Sequence, residues 1–208
     1  MRTPPYRIET ERLVVRCWDP ADAPLLKEAV DSSLEHLRPW MPWAYDDPQP
    51  LEAKVDLLRR FRGQFDLGTD FVYGTFSRDE SEVVGGTGLH TRAGPTGFEI
   101  GYWIRAGRAG QGLGTEATAA VTRVGFEVGG AERIEIRVDP ENAASLAIPR
   151  KLGFVEEGTL RGVIPHGRDG SPLPRDGVVF ALLRDELPST PAAALPLEAY
   201  DAAGTRLL

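Results

Sequence analysis

The segment 108–117, with the sequence RAGQGLGTEA, carries glycines at positions 110, 112 and 114. The aromatic and β-branched stretch 97–104 before it predicts a strand, and apolar residues at helical spacing follow it. A helix N-terminus offers unpaired backbone N–H groups and the positive end of the helix dipole, which together favour an anion. Glycines let the main chain approach that anion without a clash from a β-carbon. We therefore interpret the segment as a pyrophosphate-binding loop.

Other phosphate-binding motifs compete for the same glycines. A Walker loop is excluded, because no Gly-Lys-Ser/Thr follows. The dinucleotide fingerprint fits loosely, with Gly112, Gly114 and Ala117 at its spacing and Asp139 about where a ribose-binding carboxylate would lie. A strand–helix connection that binds nothing is the third alternative, and the loop alone leaves it open.

Composition narrows the class of protein. The chain has 208 residues, 41% of them hydrophobic, and a formal net charge of −7. These values suit one soluble domain, argue against coating a nucleic acid and are compatible with a basic partner. Cys17 is the single cysteine and the three histidines are scattered, so we expect neither a disulfide nor a metal site. No apolar run of membrane length and no signal peptide is present, which predicts a cytoplasmic protein without a membrane partner.

The periodicity places the loop inside an α+β domain. It predicts a strand, two helices, three antiparallel strands, a helix, a strand, a helix and two final strands. The strands are expected at 12–18, 71–76, 83–91, 97–104, 133–138, 154–164 and 178–183, and the helices at 19–30, 51–65, 117–128 and 143–152. We place one domain at residues 1–187, beginning with a loose arm. An Ala/Pro-rich tail at 188–208 is expected to be mobile or to form an extra hairpin.

The stretch 37–44, LRPWMPWA, combines two tryptophans and a methionine with prolines that prevent a regular helix. Trp40 and Trp43 are therefore candidates to line a substrate entrance. The alternative is that they close one edge of the core.

Several motifs together resemble the GNAT N-acetyltransferases, and within them the RimJ/RimL-type branch, which acetylates N-terminal amines of ribosomal proteins. The motifs are TERLVVR at 10–16, LRPWMPW at 37–43, IGYWI at 100–104, GQGLGTEA at 110–117, NAAS at 142–145 and KLGF at 151–154. The later motifs are not explained by a dinucleotide site. The resemblance implies a mixed, mostly antiparallel bent sheet of about seven strands, flanked by helices, whose central parallel pair 97–104 and 133–138 splays apart.

The resemblance also implies that acetyl-CoA, or another acyl-CoA, lies between the splayed strands. Its pyrophosphate would lie on the loop amides and its pantetheine arm would pair with the strand backbone near Trp103 and Ile104, while nearby basic side chains screen its charge. The implied cofactor-binding residues are Trp103, Ile104, Arg108, Gly110, Gln111, Gly112, Leu113, Gly114, Thr115, Asn142, Ser145 and Lys151.

Three positions depart from the family pattern. Ala109 stands where an arginine is usual, with Arg108 one place earlier. Pro149 falls inside the short helix and lacks the N–H that would bond to the carbonyl of Ser145, so we expect a kink. Phe180 replaces a frequent tyrosine, which removes a phenol at that position.

Direct acyl transfer requires a neutral amine, donors for the oxyanion and a proton for the thiolate. The resemblance makes Ser145 the candidate proton donor, although Asn142 and Ser145 also fit a helix cap. It makes Glu157 the candidate base, with a solvated strand glutamate as the alternative. Glu99 ranks second because period two sends it to the face opposite Ile100, which we expect in the core.

Other groups have weaker claims. His90 and His166 are candidates for proton carriers, because imidazole is the side chain suited to that role near neutral pH, but a lone histidine is more often structural. Asp176 either orients the substrate amine or belongs to a turn. The predicted enzyme is an N-acetyltransferase acting on the N-terminal α-amine of a protein or peptide, as a monomer or homodimer. A small-molecule amine acetyltransferase and a CoA-binding module without turnover are the alternatives.

Overall fold

A single open sheet runs through the computed structural model, which describes residues 2–165, 169 and 171–208. His166 lies outside the described residues. The nine described strands are β1 Arg7–Glu9, β2 Leu13–Cys17, β3 Phe71–Ser77, β4 Val83–His90, β5 Gly97–Ile104, β6 Arg133–Val138, β7 Val155–Ile164, β8 Arg175–Leu183 and β9 Glu198–Tyr200. Their spatial order is β7-β8-β6-β5-β4-β3-β2-β1-β9, and β5 with β6 is the one parallel pair among them. The mixed, mostly antiparallel α+β fold is confirmed, with two short strands more than expected.

Five helices flank this sheet within the described part of the chain. They are α1 Ala23–Asp31, α2 Leu34–Leu37, α3 Leu51–Asp66, α4 Leu113–Glu127 and α5 Ala143–Lys151. A 3₁₀ turn with an Asp19 capping box leads into α1, and a second 3₁₀ turn, Pro42–Tyr45, lies in the aromatic stretch. Proline at the first positions of both turns costs no hydrogen bond, because those N–H groups have no partner inside a helix.

The two ends of the chain meet at one edge of the sheet. The prediction of a loose N-terminal arm is wrong, because Pro4 and Pro5 are buried and Arg7 already belongs to β1. Residues 188–208 supply β9, which pairs with β1, and Ala192 and Ala199 in this segment are fully buried. Strands of three residues are too short to show a period of two, so the sequence pattern misses them. The domain boundary at residue 187 stays a prediction.

Alternation along β5 assigns its side chains to two faces. Phe98 and Ile100 are buried in a core that includes Ala117 and Val121 of α4. Trp103 packs instead against a second cluster, formed with α1 and α3. Strand geometry thus sends alternate residues of β5 to the α4 face and to the α1/α3 face.

The parallel pair separates part-way along its length. Register pairing of β5 with β6 runs from Gly97–Arg133 to Ile100–Ile136 and then ends. Beyond that point β5 continues to Ile104 beside β4, and β6 continues to Val138 beside β8. The splayed central pair is therefore present, and a cleft opens from Gly101 onward. Among the described helices, none has both the length and the hydropathy to cross a membrane.

Candidate active site

The glycine-rich loop between β5 and α4 adopts a backbone that favours glycine. Gly110 has φ +75° and Gly112, the N-cap of α4, has φ +79°. Residues with a β-carbon reach this left-handed region only at a cost of about 1–2 kcal/mol. Both glycines are therefore required by conformation, and the loop can turn sharply into the helix.

The main-chain amides of this loop are suited to bind an anion. Within the described part of the chain, residues 110–115 donate no main-chain hydrogen bond, and the first helical one runs from the Glu116 N–H to the Gly112 carbonyl at 3.1 Å. These donors sit at the positive end of a 15-residue helix. A diphosphate would satisfy them, so the loop fits the pyrophosphate of a nucleotide cofactor.

Gly114 has a different role from Gly112. A β-carbon here would lie 3.2 Å from Cδ1 of Ile148 and 3.3 Å from Cγ1 of Ile104. These contacts face the packed interior between β5, α4 and α5. The glycine at 114 thus lets the helix approach the strand, and only its N–H is left for a ligand.

An anchor from the residues just before β2 fixes the loop. The buried Glu116 carboxylate accepts hydrogen bonds from Thr10 Oγ1 at 2.6 Å and from Arg12 Nε at 2.6 Å. The same guanidinium donates from Nη1 to the Gln111 carbonyl at 2.9 Å. Thr10 and Arg12 therefore hold the loop in place. Arg12 also brings to it a positive charge that Ala109, at the position of the usual arginine, does not supply.

A cavity of about 890 Å³ begins at the split between β5 and β6 and extends under the aromatic stretch. The residues that line it include Trp40, Trp43, Asp47, Lys54, Arg60, Asp70, His90, Arg92, Glu99, Gly101, Tyr102, Trp103, Arg137, Asp139, Asn142 and Ser145. It is large enough for a small organic group or the end of a peptide.

Ser145 and Tyr102 meet at the inner end of this cavity. Their side-chain oxygens are 3.0 Å apart, and the Tyr102 hydroxyl also donates to the Ser145 carbonyl at 3.1 Å. Asn142 caps α5 by accepting from the Ser145 backbone N–H at 3.1 Å. Burial raises the pKa of Tyr102 to about 12, so its hydroxyl keeps its proton at neutral pH. The pair can hold or move a proton at the point where the strands part.

Comparison with known proteins decides the family. The model for the Acetyltransferase (GNAT) domain matches residues 12–155, well over half of the chain. The chain belongs to the GNAT acetyltransferase family. The [Ribosomal protein uS5]-alanine N-acetyltransferase of Escherichia coli (strain K12) is 30% identical to this acetyltransferase over 160 residues, which is 74% of this chain and 81% of the relative.

Solved structures agree with the family. Mycobacterium smegmatis RimJ in complex with CoA-disulfide has a TM-score of 0.76 at 25% identity, covering 91% of this acetyltransferase and 92% of that chain. A RimL ribosomal L7/L12 α-N-protein acetyltransferase in complex with coenzyme A has a TM-score of 0.75 at 21% identity, covering 85% and 96%. This GNAT acetyltransferase is thus an N-acetyltransferase that uses acetyl-CoA as co-substrate. In the described residues no group of side chains is suited to hold a metal ion.

Two residues expected at the site lie elsewhere in the acetyltransferase. Glu157 is on β7, where its carboxylate pairs with Arg133 Nη1 at 2.8 Å and Nη2 at 2.5 Å, and it does not line the cavity. The Arg133 guanidinium lowers its pKa, which suits an ion pair better than a base. Asp176 is exposed at the start of β8 and accepts from the Gly162 N–H at 2.9 Å. Neither residue lines the cavity that contains Ser145.

The basic candidates for cofactor binding are also displaced from the loop amides. Arg108 directs Nη2 to Glu82 at 2.5 Å, and its Nε to the same carboxylate at 2.9 Å. Lys151 is exposed at the last position of α5. The guanidinium that does contact the loop belongs to Arg12, whose position 99 residues before Gln111 hides it from a local motif.

Glu99 is inside the cavity. Period two does send it opposite Ile100, but that face is the cavity wall and not solvent. Its Oε1 accepts from Arg92 Nη2 at 2.6 Å, and Oε2 lies 3.5 Å from Arg137 Nε without a hydrogen bond. Glu99 thus lies on the face that the period of two predicts, and in the structure that face borders the cavity.

The aromatic residues line the outer part of the cavity. Trp43 meets Trp103 edge to face, with ring centroids 5.8 Å apart. A β-carbon at Gly86 would lie 2.6 Å from Nε1 of Trp103, so the glycine at this position makes room for the indole. Trp40 lines the same wall, and its neighbour Pro39 accepts from Arg175, which also pairs with Asp139. Both tryptophans thus line the cavity, and their role at a substrate entrance stays a prediction.

Pro149 explains how Tyr102 is held. The helix α5 continues through Pro149, which has no N–H to donate to the Ser145 carbonyl four residues earlier. The Tyr102 hydroxyl donates to that carbonyl instead. The proline thus leaves the Ser145 carbonyl without a helical donor, and this acceptor positions the phenol of Tyr102 beside Ser145. Phe180 is fully buried and supplies no hydroxyl group.

Proposed function

We propose that this N-acetyltransferase transfers the acetyl group to the N-terminal α-amine of a protein or peptide in the cytoplasm. The observation that carries the proposal is the continuity of one cavity, which joins Ser145 and Tyr102 at the strand split to the tryptophans at its outer end. An extended N-terminus can enter such a cavity, whereas the middle of a folded chain cannot. The relatives named for ribosomal-protein alanine and α-N-protein acetylation support an α-amine acceptor.

We assign the co-substrate to the cleft by the donors that it would satisfy. The amides of Gln111, Gly112, Gly114 and Thr115 would hold its pyrophosphate, and Arg12 would add a positive charge. The β5 backbone near Trp103 and Ile104, which lacks a partner strand toward β6, would pair with its pantetheine arm. Bound in this way, acetyl-CoA supplies the activated acetyl thioester.

Direct attack by the amine suits these residues better than an acyl-enzyme. Cys17 is buried, lies outside the cavity and has its pKa raised to about 12 by burial, so it cannot serve as a thiolate nucleophile near neutral pH. An α-amine has an ordinary pKa of about 7.8, against about 10.4 for a lysine side chain. A useful fraction of α-amines is therefore neutral at pH 7.

Ser145 is the proposed proton donor to the leaving thiolate, and Tyr102 is the proposed group that returns a proton to Ser145. Ser145→Ala is expected to lower kcat about 100-fold with little change in CoA affinity, since general acids contribute about 10²–10⁴. The helix cap uses the backbone N–H of residue 145, so this change leaves the cap intact. Steady-state kinetics and calorimetric titration with CoA measure the two quantities.

Tyr102→Phe provides the matched test of the relay. We expect about a tenfold loss of kcat, and the double variant should be no slower than Ser145→Ala, because the two hydroxyls act in series. Additive losses would mean that they act independently. If Ser145→Ala turned over at the wild-type rate, Ser145 would be a capping residue only.

The acceptor is tested with a panel of peptides that differ at their first residue. The purified protein and acetyl-CoA are expected to release CoA with free N-termini, and mass spectrometry should place the acetyl group on the α-amine. An N-terminally blocked peptide with an internal lysine is the control. CoA release only with small amines would favour the alternative acceptor, and CoA binding without release from any amine would indicate a binding module.

A further inference from the structure

We propose that His90, held by Asp70, is the base that takes the proton from the attacking amine. This inference rests on the proposed acetyl transfer to an α-amine. His90 and Asp70 lie 20 residues apart, at the end of β4 and just before β3. The chain brings them together in the cavity that also contains Ser145.

The pair has the geometry of an oriented imidazole. Nδ1 of His90 lies 3.0 Å from Oδ1 and 3.0 Å from Oδ2 of Asp70. An ionised carboxylate only accepts hydrogen bonds, so the neutral ring carries its proton on Nδ1 and leaves the lone pair on Nε2. Asp70 thus fixes both the tautomer and the orientation of the ring, and it would stabilise the imidazolium formed by proton uptake.

Nε2 lies beside the residue of β5 at which the two strands part. A β-carbon at Gly101 would lie 3.3 Å from Nε2, and one at Gly88 would lie 2.8 Å from it. Gly101 is the first residue of β5 beyond its pairing with β6. Two glycines therefore make room for the ring beside the point where β5 leaves β6, on the face of β5 opposite to Tyr102.

The charged groups near the ring distinguish His90 from Glu99, the other candidate base. Arg92, Glu99 and Arg137 face the same part of the cavity, and Lys54 and Arg60 face it from α3. Glu99 accepts a hydrogen bond from Arg92 and lies 3.5 Å from Arg137, so two guanidinium groups compete with a substrate amine for its carboxylate. His90 has one carboxylate partner on Nδ1 and leaves Nε2 for the substrate.

The proposed step moves one proton from the amine to His90 and one from Ser145 to the leaving thiolate. The amine nitrogen forms a bond to the thioester carbonyl carbon, and His90 Nε2 takes the proton that the nitrogen loses. The carbon–sulfur bond then breaks, and the thiolate receives a proton from Ser145, which is replenished through Tyr102. The imidazolium later releases its proton to solvent and Tyr102 takes up a proton from solvent, so the protons balance and no oxidant or metal ion is needed.

The test compares His90→Gln with His36→Gln, a change at an exposed histidine of α2. For His90→Gln we expect kcat/KM with a peptide α-amine to fall about 100-fold at pH 7 while CoA affinity is kept. The pH profile of the wild-type rate should contain an acid limb that His90→Gln loses, because a protonated ring has no lone pair to accept the proton of the amine. The kcat/KM of Asp70→Asn should lie between the values of the wild type and of His90→Gln. Added imidazole should restore part of the rate of His90→Gln.

Each other outcome counts against a defined part of the proposal. Turnover by His90→Gln within twofold of His36→Gln, with the same pH profile, overturns the role of His90. A loss confined to Glu99→Gln transfers the role to Glu99. If the unaltered enzyme released no CoA with any peptide, the α-amine acceptor itself would fail, and this step with it. Loss of CoA binding in His90→Gln would signal misfolding, and Asp70→Asn and imidazole rescue would then decide.

Discussion

Gly112→Val is expected to weaken CoA binding about 100-fold. Residue 112 has φ +79° at the N-cap of α4, a conformation that a β-branched side chain adopts only with a strain of about 1–3 kcal/mol. Relief of that strain turns the peptide N–H groups of the loop away from the phosphates, and a hydrogen bond to a charged group contributes about 1.5–3 kcal/mol. The two effects together amount to about 3 kcal/mol, which corresponds to about two orders of magnitude in Kd.

Gly107→Val is the matched control for this change. Gly107 lies five residues earlier in the same connection, where a β-carbon would meet nothing within 4 Å and φ is not in the left-handed region. Isothermal titration with CoA should therefore give the wild-type Kd for Gly107→Val and a much weaker one for Gly112→Val. Equal affinities for both variants would show that the diphosphate binds elsewhere.

The elements of the fold were largely predictable because their signals are local. The strand β5, its glycine turn and the helix α4 each carry their own period and punctuation, and the structure has them within a few residues of the predicted bounds. The first three residues of β8 were missed, since Arg175, Asp176 and Gly177 have poor strand propensity. Pairing with β7, and not propensity, makes these residues extended.

The site was less predictable because its contacts join distant residues. Arg12 reaches Gln111, Asp70 reaches His90, and Tyr102 reaches Ser145, and no local spacing connects these partners. A carboxylate on a strand shows its face by periodicity, but whether that face meets a cavity or solvent depends on the layer above it. The sequence therefore did not show which layer covers Glu99, and Glu157 was ranked first by resemblance.

The outer wall of the cavity depends on a buried ion pair. Lys54 Nζ of α3 lies 2.5 Å from Asp47 Oδ1, and each side chain is 3% exposed. Asp47 also accepts from the Gln49 N–H through Oδ1, and its carbonyl accepts from Arg38. The pair therefore joins α3 to the segment that follows Trp40 and Trp43.

Lys54→Met is expected to lower the free energy of unfolding by about 3–5 kcal/mol, because it leaves the Asp47 carboxylate buried without its cation. For a protein of this size the loss should lower Tm by about 10 °C in a thermal melt. The Asp47→Asn, Lys54→Met double variant removes both charges and should recover most of that loss. KM for a peptide should rise in the single variant, since the tryptophans lose their support.

Arg59→Met on the same helix is the control, because it removes an exposed positive charge instead of a buried one. Arg59 pairs with Asp56 at 3.5 Å with side chains 70% and 64% exposed, and such surface pairs contribute at most about 1 kcal/mol. Its Tm should stay close to the wild-type value. A similar small loss in Lys54→Met, or no recovery in the double variant, would mean that packing of the lysine stem, and not the unpaired carboxylate, determines the stability of this wall. The acceptor site would then depend on the packing of this wall and not on its buried charges.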